Sequence, residues 1–367
     1  MEAGDATQTA SPPAPPPGHP DGTGVTATLD RFQRRHTWAG FPLAVVYKYV
    51  DDMGGYLAAL LTYYAFVSLF PLLLLLTTVL GIVLRGNPDL QARILDSALA
   101  QFPVVGQQLG EPQGLGGSTA GIVIGAMVSL YGALGVAQAF QYATNTAWRV
   151  PRNQRPNPIL SRVRGLLILG TAGLAILGTT VLSTLASTSI GSLGWFSRAF
   201  FVVASVVVNA LVFTLAFRIS TTRALSVRDV APGAAITAVA WLLLQTFGVA
   251  YVTSVVQGRS ATNGVFAIVL GLLAYLYLSF VVLVLATEVN VVRVDHLHPR
   301  ALLTPFTDDV SLTRGDKRAY AGAAEAQRSK GFQTIDVRFD RPPPQQAPTD
   351  DGATTDAGRD PERRVVD

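Results

Sequence analysis

The chain of 367 residues contains no cysteine. That excludes disulfides, thiolate metal sites and cysteine nucleophiles together. Histidine is nearly as scarce, and the four present, His19, His36, His296 and His298, all lie outside the long apolar runs. Charge is thin as well. Asp, Glu, Lys and Arg make up 14% of the chain while 49% is hydrophobic, with a mean hydropathy of +0.36. A soluble domain carries roughly 25% charged residues, so much of this surface must face lipid or a very large core. No Gly-x-x-x-x-Gly-Lys-Ser/Thr phosphate loop occurs, which leaves no recognisable ATP hydrolysis. The first thirty residues are rich in Pro, Ala, Gly and Thr and lack the apolar core of a signal peptide.

What the chain does have is long apolar segments. Six of them, 57–84, 119–143, 163–188, 198–217, 231–256 and 264–289, reach the length of about 20 residues that a bilayer-crossing helix needs. An even number of spans places both termini on one side. Before the first span lie Arg31, Arg34, Arg35 and Lys48; the second connection holds Arg149, Arg152, Arg155, Arg162 and Arg164, and the fourth Arg218, Arg223 and Arg228. The other connections hold only Arg85 and Arg93, then Arg198, then Arg259. Connections rich in Lys and Arg are cytoplasmic, so a multi-pass plasma-membrane protein with both termini in the cytoplasm is expected.

Two shorter stretches are amphipathic and too short to span. Over 87–102, Leu90, Ile94, Leu95 and Phe102 fall near one face; over 41–53, Leu43, Val46, Tyr47 and Val50 repeat at helical spacing, with Lys48, Asp51 and Asp52 elsewhere. Both suit helices lying in the membrane interface. The expected fold class is an all-α polytopic membrane protein: six transmembrane helices with two interfacial amphipathic helices. Residues 1–38 read as a disordered cytoplasmic arm, 39–294 as the membrane domain and 295–367 as a mostly disordered cytoplasmic tail. Ile335, Val337 and Phe339 alternate within that tail, as a chance pattern or as a strand added to a partner's sheet edge.

Lipid does not drive helices together, so close backbone approach and buried polar groups must. Gly121, Gly125, Ser129, Ala133 and Ala137 form such a stripe on the second span, four residues apart. Pro71 removes a hydrogen bond from the first span and predicts a kink. Several polar side chains also sit at membrane depth: Tyr63 and Tyr64, then Gln138, Gln141 and Asn145 down the inner half of the second span, Asn209 in the fourth, Gln245 in the fifth and Glu288 at the end of the sixth. An unsatisfied amide costs several kcal/mol in hydrocarbon, so they must turn inward. Interhelical hydrogen bonding and the lining of a polar cavity both explain them. For Glu288, a pair with Arg162 or Arg164 is the expected structural role, and proton or cation handling the functional one.

The segment Leu57–Leu76, LAALLTYYAFVSLFPLLLLL, resembles the opening signature of the BrkB/YihY family of inner-membrane proteins. Gly233–Tyr251, the Asn263-Gly264-Val265-Phe266 start of the sixth span and Ala286-Thr287-Glu288-Val289-Asn290 resemble its later blocks, with Thr287 standing between the alanine and the glutamate. The resemblance covers about 39–294. It implies a six-helix membrane protein related to lipid handling or virulence, in a family that has also carried a ribonuclease BN label.

The residues give the nuclease no support. Metal-dependent RNA hydrolysis needs clustered ligands that activate water, and only Asp295, His296 and His298 approach that. The basic loops have a topological explanation before nucleic acid is needed. The expectation is therefore no enzyme, no catalytic residue, no metal and no cofactor, with membrane lipids as partners, a lipid-like or amphiphilic substrate, no nucleic acid, and a protein partner reached through the C-terminal tail. The alternative is a non-transporting scaffold or envelope-integrity factor.

Overall fold

The computed structural model describes residues 25–83, 89, 92, 119–256, 261–306 and 310–339. Its elements are helical: α1 (Val25–Arg35), α2 (Thr37–Asp51), α3 (Gly54–Val83), α4 (Thr119–Ala147), a short 3-10 turn (Arg152–Gln154), α5 (Pro158–Ser220), α6 (Val227–Val256), α7 (Ala261–Val294) and α8 (Arg314–Glu325). No strand occurs among the described residues. Ile335, Val337 and Phe339 are half-buried but belong to no ladder. The expected interfacial helix at 87–102 lies outside the described residues apart from two isolated positions.

Three helices among the described residues are long and apolar enough to cross a membrane: Ala199–Ser220, Val227–Gly248 and Val269–Val294, and Gly54–Leu69 is a shorter apolar helix. The six expected spans fall on helical backbone wherever they are described; position 84 lies outside the described residues. Large apolar side chains point outward along these helices, among them Val67 on α3, Leu167 and Val207 on α5, Leu243 on α6 and Leu278 on α7. Helices that leave such residues exposed on their outer faces match a surface solvated by lipid.

α5 is a single helical run of 63 residues where the sequence separates two spans. Straight, it would measure about 95 Å at 1.5 Å per residue. It does not run straight. Its first turn and its last touch the same end of α4: Gln141 Nε2 donates to the Ser161 carbonyl at 2.9 Å, and Thr144 Oγ1 donates to the Ser220 carbonyl at 3.0 Å. A Cβ added to Gly178 would lie 3.5 Å from Cγ1 of Val208. α5 therefore doubles back, and its two limbs carry the two expected spans 163–188 and 198–217. Its start is fixed by Asn157, whose Oδ1 accepts from the Leu160 amide at 2.8 Å, followed by Pro158 at the first helical position.

Close packing depends on small residues. Ala133 and Ala137 of the expected stripe are buried; the side chains of Gly121, Gly125, Ser129 and Pro71 lie outside those described, and the helical run of α3 continues through position 71. α3 meets α4 where Tyr64 crosses Gly135, since a Cβ there would be 2.5 Å from Tyr64 Cδ1. α6 meets α7 more closely still. A Cβ on Gly233 would lie 2.3 Å from the Ala286 carbonyl oxygen. Asn290 of α7 accepts from the Gly233 amide at 2.8 Å and donates to the Val230 carbonyl at 3.2 Å. Pro232 brings no N–H to its helix, and Arg293 Nη2 donates instead to the Arg228 carbonyl four residues earlier. The end of α7 thus supplies polar partners to the first turns of α6.

The residues after α7 differ from the disordered tail expected for 295–367. Arg300 and Asp316 are both buried, and the Arg300 guanidinium holds Asp316 through Nε and Asp51 through Nη1, the latter at 3.1 Å. Asp316 also accepts from the Ala301 amide at 3.0 Å and closes a capping box with Thr313 at the start of α8. Gln33 Nε2 donates to the Arg300 carbonyl at 2.6 Å, and Asp30 accepts from the Leu302 amide at 2.8 Å. α1 and α2 therefore clamp 300–302 against the bundle, and helix begins at Val25, inside what the sequence assigns to a disordered arm of 1–38. The low apolar content of these stretches conceals the order, because buried polar contacts create it.

Candidate functional site

The start of α3, the end of α4, both ends of α5, the start of α6 and the end of α7 meet at one end of the bundle, where the arginine-rich connections lie. At this end α2 crosses α7. The sequence pattern put Val46 and Val50 on the apolar face of α2 and Lys48 away from it. In the structure Val46 and Val50 are exposed and Tyr47 of the same apolar set is buried, but Lys48 is fully buried as well, beside Ala44 and Val45. The valines stay on the outside of the bundle, while the ammonium turns inward.

Lys48 has three N–H bonds to place, and two hydrogen-bond acceptors and one ion-pair partner surround it. They are the Asp52 carboxylate one turn on, the carbonyl of Ala147 at the C-terminus of α4 at 3.1 Å, and Glu288 Oε2 at 3.3 Å. The Ala147 carbonyl adds the negative end of a helix dipole. Glu288, expected to pair with Arg162 or Arg164, pairs with Lys48 instead. It faces α2 across the bundle, and Arg162 is exposed. Neither Glu288 oxygen has a donor aligned for a hydrogen bond. The pair is held by the attraction of the two charges, which opposes the cost of burying them.

Asp52 lies just outside the spans with its side chain 9% exposed. Burial pushes its carboxyl above the usual carboxylate range, and Lys48 opposes that shift. Arg149 supplies a second positive charge nearby. Burial pulls its pKa below the ordinary arginine value, against the attraction of Asp52, Asp295 and Glu288. Two cations and two carboxylates thus share one buried patch.

The other predicted site residues do not converge. Gln141 and Asn145 are buried as helix-to-helix ties: Gln141 bonds Ser161, and Asn145 Oδ1 accepts from Thr221 Oγ1 and the Thr222 amide, each at 3.1 Å. Gln138 is exposed, and Tyr63 is 61% exposed with its ring edge-on to Tyr64. Asn209 Nδ2 donates to the Ser205 carbonyl of its own helix at 3.0 Å, and Gln245 is half-buried. Only Glu288 of the predicted set enters the charged patch.

Beside that patch opens a cleft of about 630 Å³. Its walls come from the end of α4 (Trp148–Pro151), the 3-10 turn (Gln154), the loop after α5 (Thr222, Arg223), the loop after α7 (Asp295, Leu297) and α8 (Arg318, Gly322, Glu325, Arg328). Arg223 forms a two-bonded pair with Asp295, at 3.0 and 2.6 Å, and lies over the Trp148 ring with its carbon 4.9 Å from the centroid. A second cleft of about 590 Å³ runs from Leu215 to Ser226. Neither is lined by any of the predicted cavity residues.

Asp295 belongs to Arg223, His296 is exposed and His298 meets the Phe41 ring edge-on at 5.5 Å. Those three side chains do not gather around one point. No group of three His, Cys, Asp or Glu that could hold a metal occurs among the described residues.

Lys48, Arg149, Asn290, Arg300 and Asp316 are the residues that sequence reading passed over. Two signals for them are in the chain: Lys48 and Asp52 stand four apart just before Gly54-Gly55, and Thr313-x-x-Asp316 has the form of a capping box. Nothing in the sequence connects Arg300 to Asp51.

Lipid-exposed apolar helices, a buried ionic centre at one end and an arginine-lined mouth beside it define an all-helical membrane protein. The virulence factor BrkB family model matches residues 45–305, and the chain belongs to that family. No curated protein and no solved structure matches it.

Proposed function

We propose that the protein crosses the plasma membrane six times, keeps both termini in the cytoplasm and moves or accommodates an amphiphilic, lipid-like substrate. The arginine-rich connections on one end of the bundle support that orientation. The observation that carries the function is the Lys48–Glu288 pair. Both side chains are fully buried, and the carboxylate has no hydrogen-bond donor aligned to it. Charges at membrane depth are costly and mark pathways and relays. A carboxylate held only by an adjacent ammonium can exchange that partner for a proton or for a cationic group, which a fully bonded one resists.

Proteoliposomes containing the purified chain and a fluorescent phospholipid test this. The wild type is expected to move lipid between leaflets faster than empty vesicles, and Glu288→Gln at equal incorporation is expected to reduce that rate. Equal rates for wild type, variant and empty vesicles would sink the proposal.

One observation favours the scaffold reading: residues 295–306 and 310–333 fold onto the bundle end, and Phe332 just beyond α8 is 91% exposed. Phe332→Ser tests it. Loss of the cellular phenotype with lipid movement intact selects the scaffold.

A further inference from the structure

Arg149 reaches into the cleft from a backbone of positive φ, 52°. Its side chain passes over Gly322 of α8 so closely that a Cβ there would lie 2.8 Å from Arg149 Cδ and 3.0 Å from Nη1. Nη1 donates to the Arg318 carbonyl at 3.1 Å, while Nε is buried and has no acceptor. Arg149 makes no ion pair with a carboxylate among the described residues. Arg328 repeats the pattern: its Nε is buried without an acceptor, and its Nη1 stands 3.8 Å from a Glu325 that is 59% exposed. Around this cleft four arginines face two carboxylates, and one of those, Asp295, is fully engaged by Arg223. A guanidinium offers five donors in a fixed fork. Burying such donors without acceptors is costly, and the two side chains that carry them line one open cleft of positive charge.

We propose that this cleft binds a phosphate group, with Arg149 and Arg328 as its principal donors and Arg318 at the rim. Guanidinium–phosphate pairs are short, charge-assisted and directional. The phosphate comes either from a phospholipid or from a small soluble phosphate compound. If the lipid-handling reading above holds, the cleft names the head group of its substrate; the binding itself rests only on the cleft.

Isothermal titration of the full chain in neutral detergent tests it with three probes: inorganic phosphate, glycerol 3-phosphate and a short-chain phosphatidic acid below its micelle concentration. Saturable binding at one site is expected, weakened by about ten-fold or more in Arg149→Gln and in Arg328→Gln. Gly322→Ala keeps every charge but displaces Arg149, and it is expected to weaken binding likewise. Phosphatidic acid binding more tightly than glycerol 3-phosphate assigns the site to a lipid; equal affinities assign it to a soluble phosphate. The absence of saturable binding by all three probes overturns the proposal, as does affinity unchanged in all three variants at wild-type melting temperature. Lipid movement measured on the same variants separates this inference from the preceding one. Binding without movement leaves the cleft and defeats transport, whereas movement unaffected by loss of binding defeats the cleft as the substrate site.

Discussion

The Nζ of Lys48 on α2 stands 3.3 Å from Oε2 of Glu288 on α7, and both side chains are fully buried. The pair joins α2 to α7, a helix long and apolar enough to cross a membrane. Removing one member of a buried pair leaves the other charge without its partner, at a typical cost of about 3–5 kcal/mol. Lys48→Met is expected to be the worse single change, because it leaves both Asp52 and Glu288 facing an empty site. Glu288→Gln is expected to cost less, since Lys48 keeps Asp52 and the Ala147 carbonyl. The double variant Lys48→Met/Glu288→Gln should be more stable than Lys48→Met alone. Thermal unfolding in detergent gives all three values. Strictly additive losses would show that the two charges do not interact.

The α6–α7 contact predicts a steric effect with no charge in it. Gly233→Ala places a methyl 2.3 Å from the Ala286 carbonyl oxygen and 2.4 Å from Asn290 Nδ2. Backbone cannot yield as a side chain end does, so overpacking of about 1–3 kcal/mol is expected. Gly170, with nothing within 4 Å of an added Cβ, is the control. Gly170→Ala is expected to unfold within error of the wild type, and a loss equal to that of Gly233→Ala would refute the steric account.

These two sites show what could be read beforehand. The all-helical class and the apolar character of the long helices follow from hydropathy, which acts along the chain and is visible in it. The family resemblance on 57–76 likewise needed only local order. Gln141 and Asn145 were legible as buried amides, but whether they would line a cavity or tie helices depended on what α5 brought opposite them. Lys48 was misplaced because α2 was read as one amphipathic face toward lipid. Its burial is decided by Glu288, 240 positions later. Arg300 and Asp316 were invisible for the same reason: polar residues in a charged tail carry no mark of the partner that will bury them.

The burial of Asp52 predicts a pH dependence of definite sign. Burial raises its folded pKa above the unfolded value of about 3.9. Between those two values the folded state binds the proton that the unfolded chain does not. Stability from this group therefore rises as pH falls through the folded pKa toward the unfolded one. Asp52→Asn lacks that slope. The difference in melting temperature, wild type minus Asp52→Asn, is expected to move in favour of the wild type as pH falls from about 7 to about 4. A constant difference, or one moving the other way, would refute the raised pKa.

The docked C-terminal segment predicts where the chain can be shortened. A stop after residue 339 keeps every contact described for α8, and it is expected to leave the melting temperature of the bundle unchanged. A stop after residue 306 removes Asp316 and leaves Arg300, which is fully buried, with Asp51 as its remaining carboxylate. It also uncovers the Arg149 side of the cleft by removing Gly322 and Arg318. That shorter chain is expected to lose about 3–5 kcal/mol from the broken buried pair. Arg300→Leu in the shorter chain removes the stranded charge and should recover part of the loss. Recovery would locate the damage in the Arg300–Asp316 pair. If instead the chain ending at 306 proves as stable as the one ending at 339, the segment does not dock in the membrane-embedded protein, and the cleft it walls would have to form some other way.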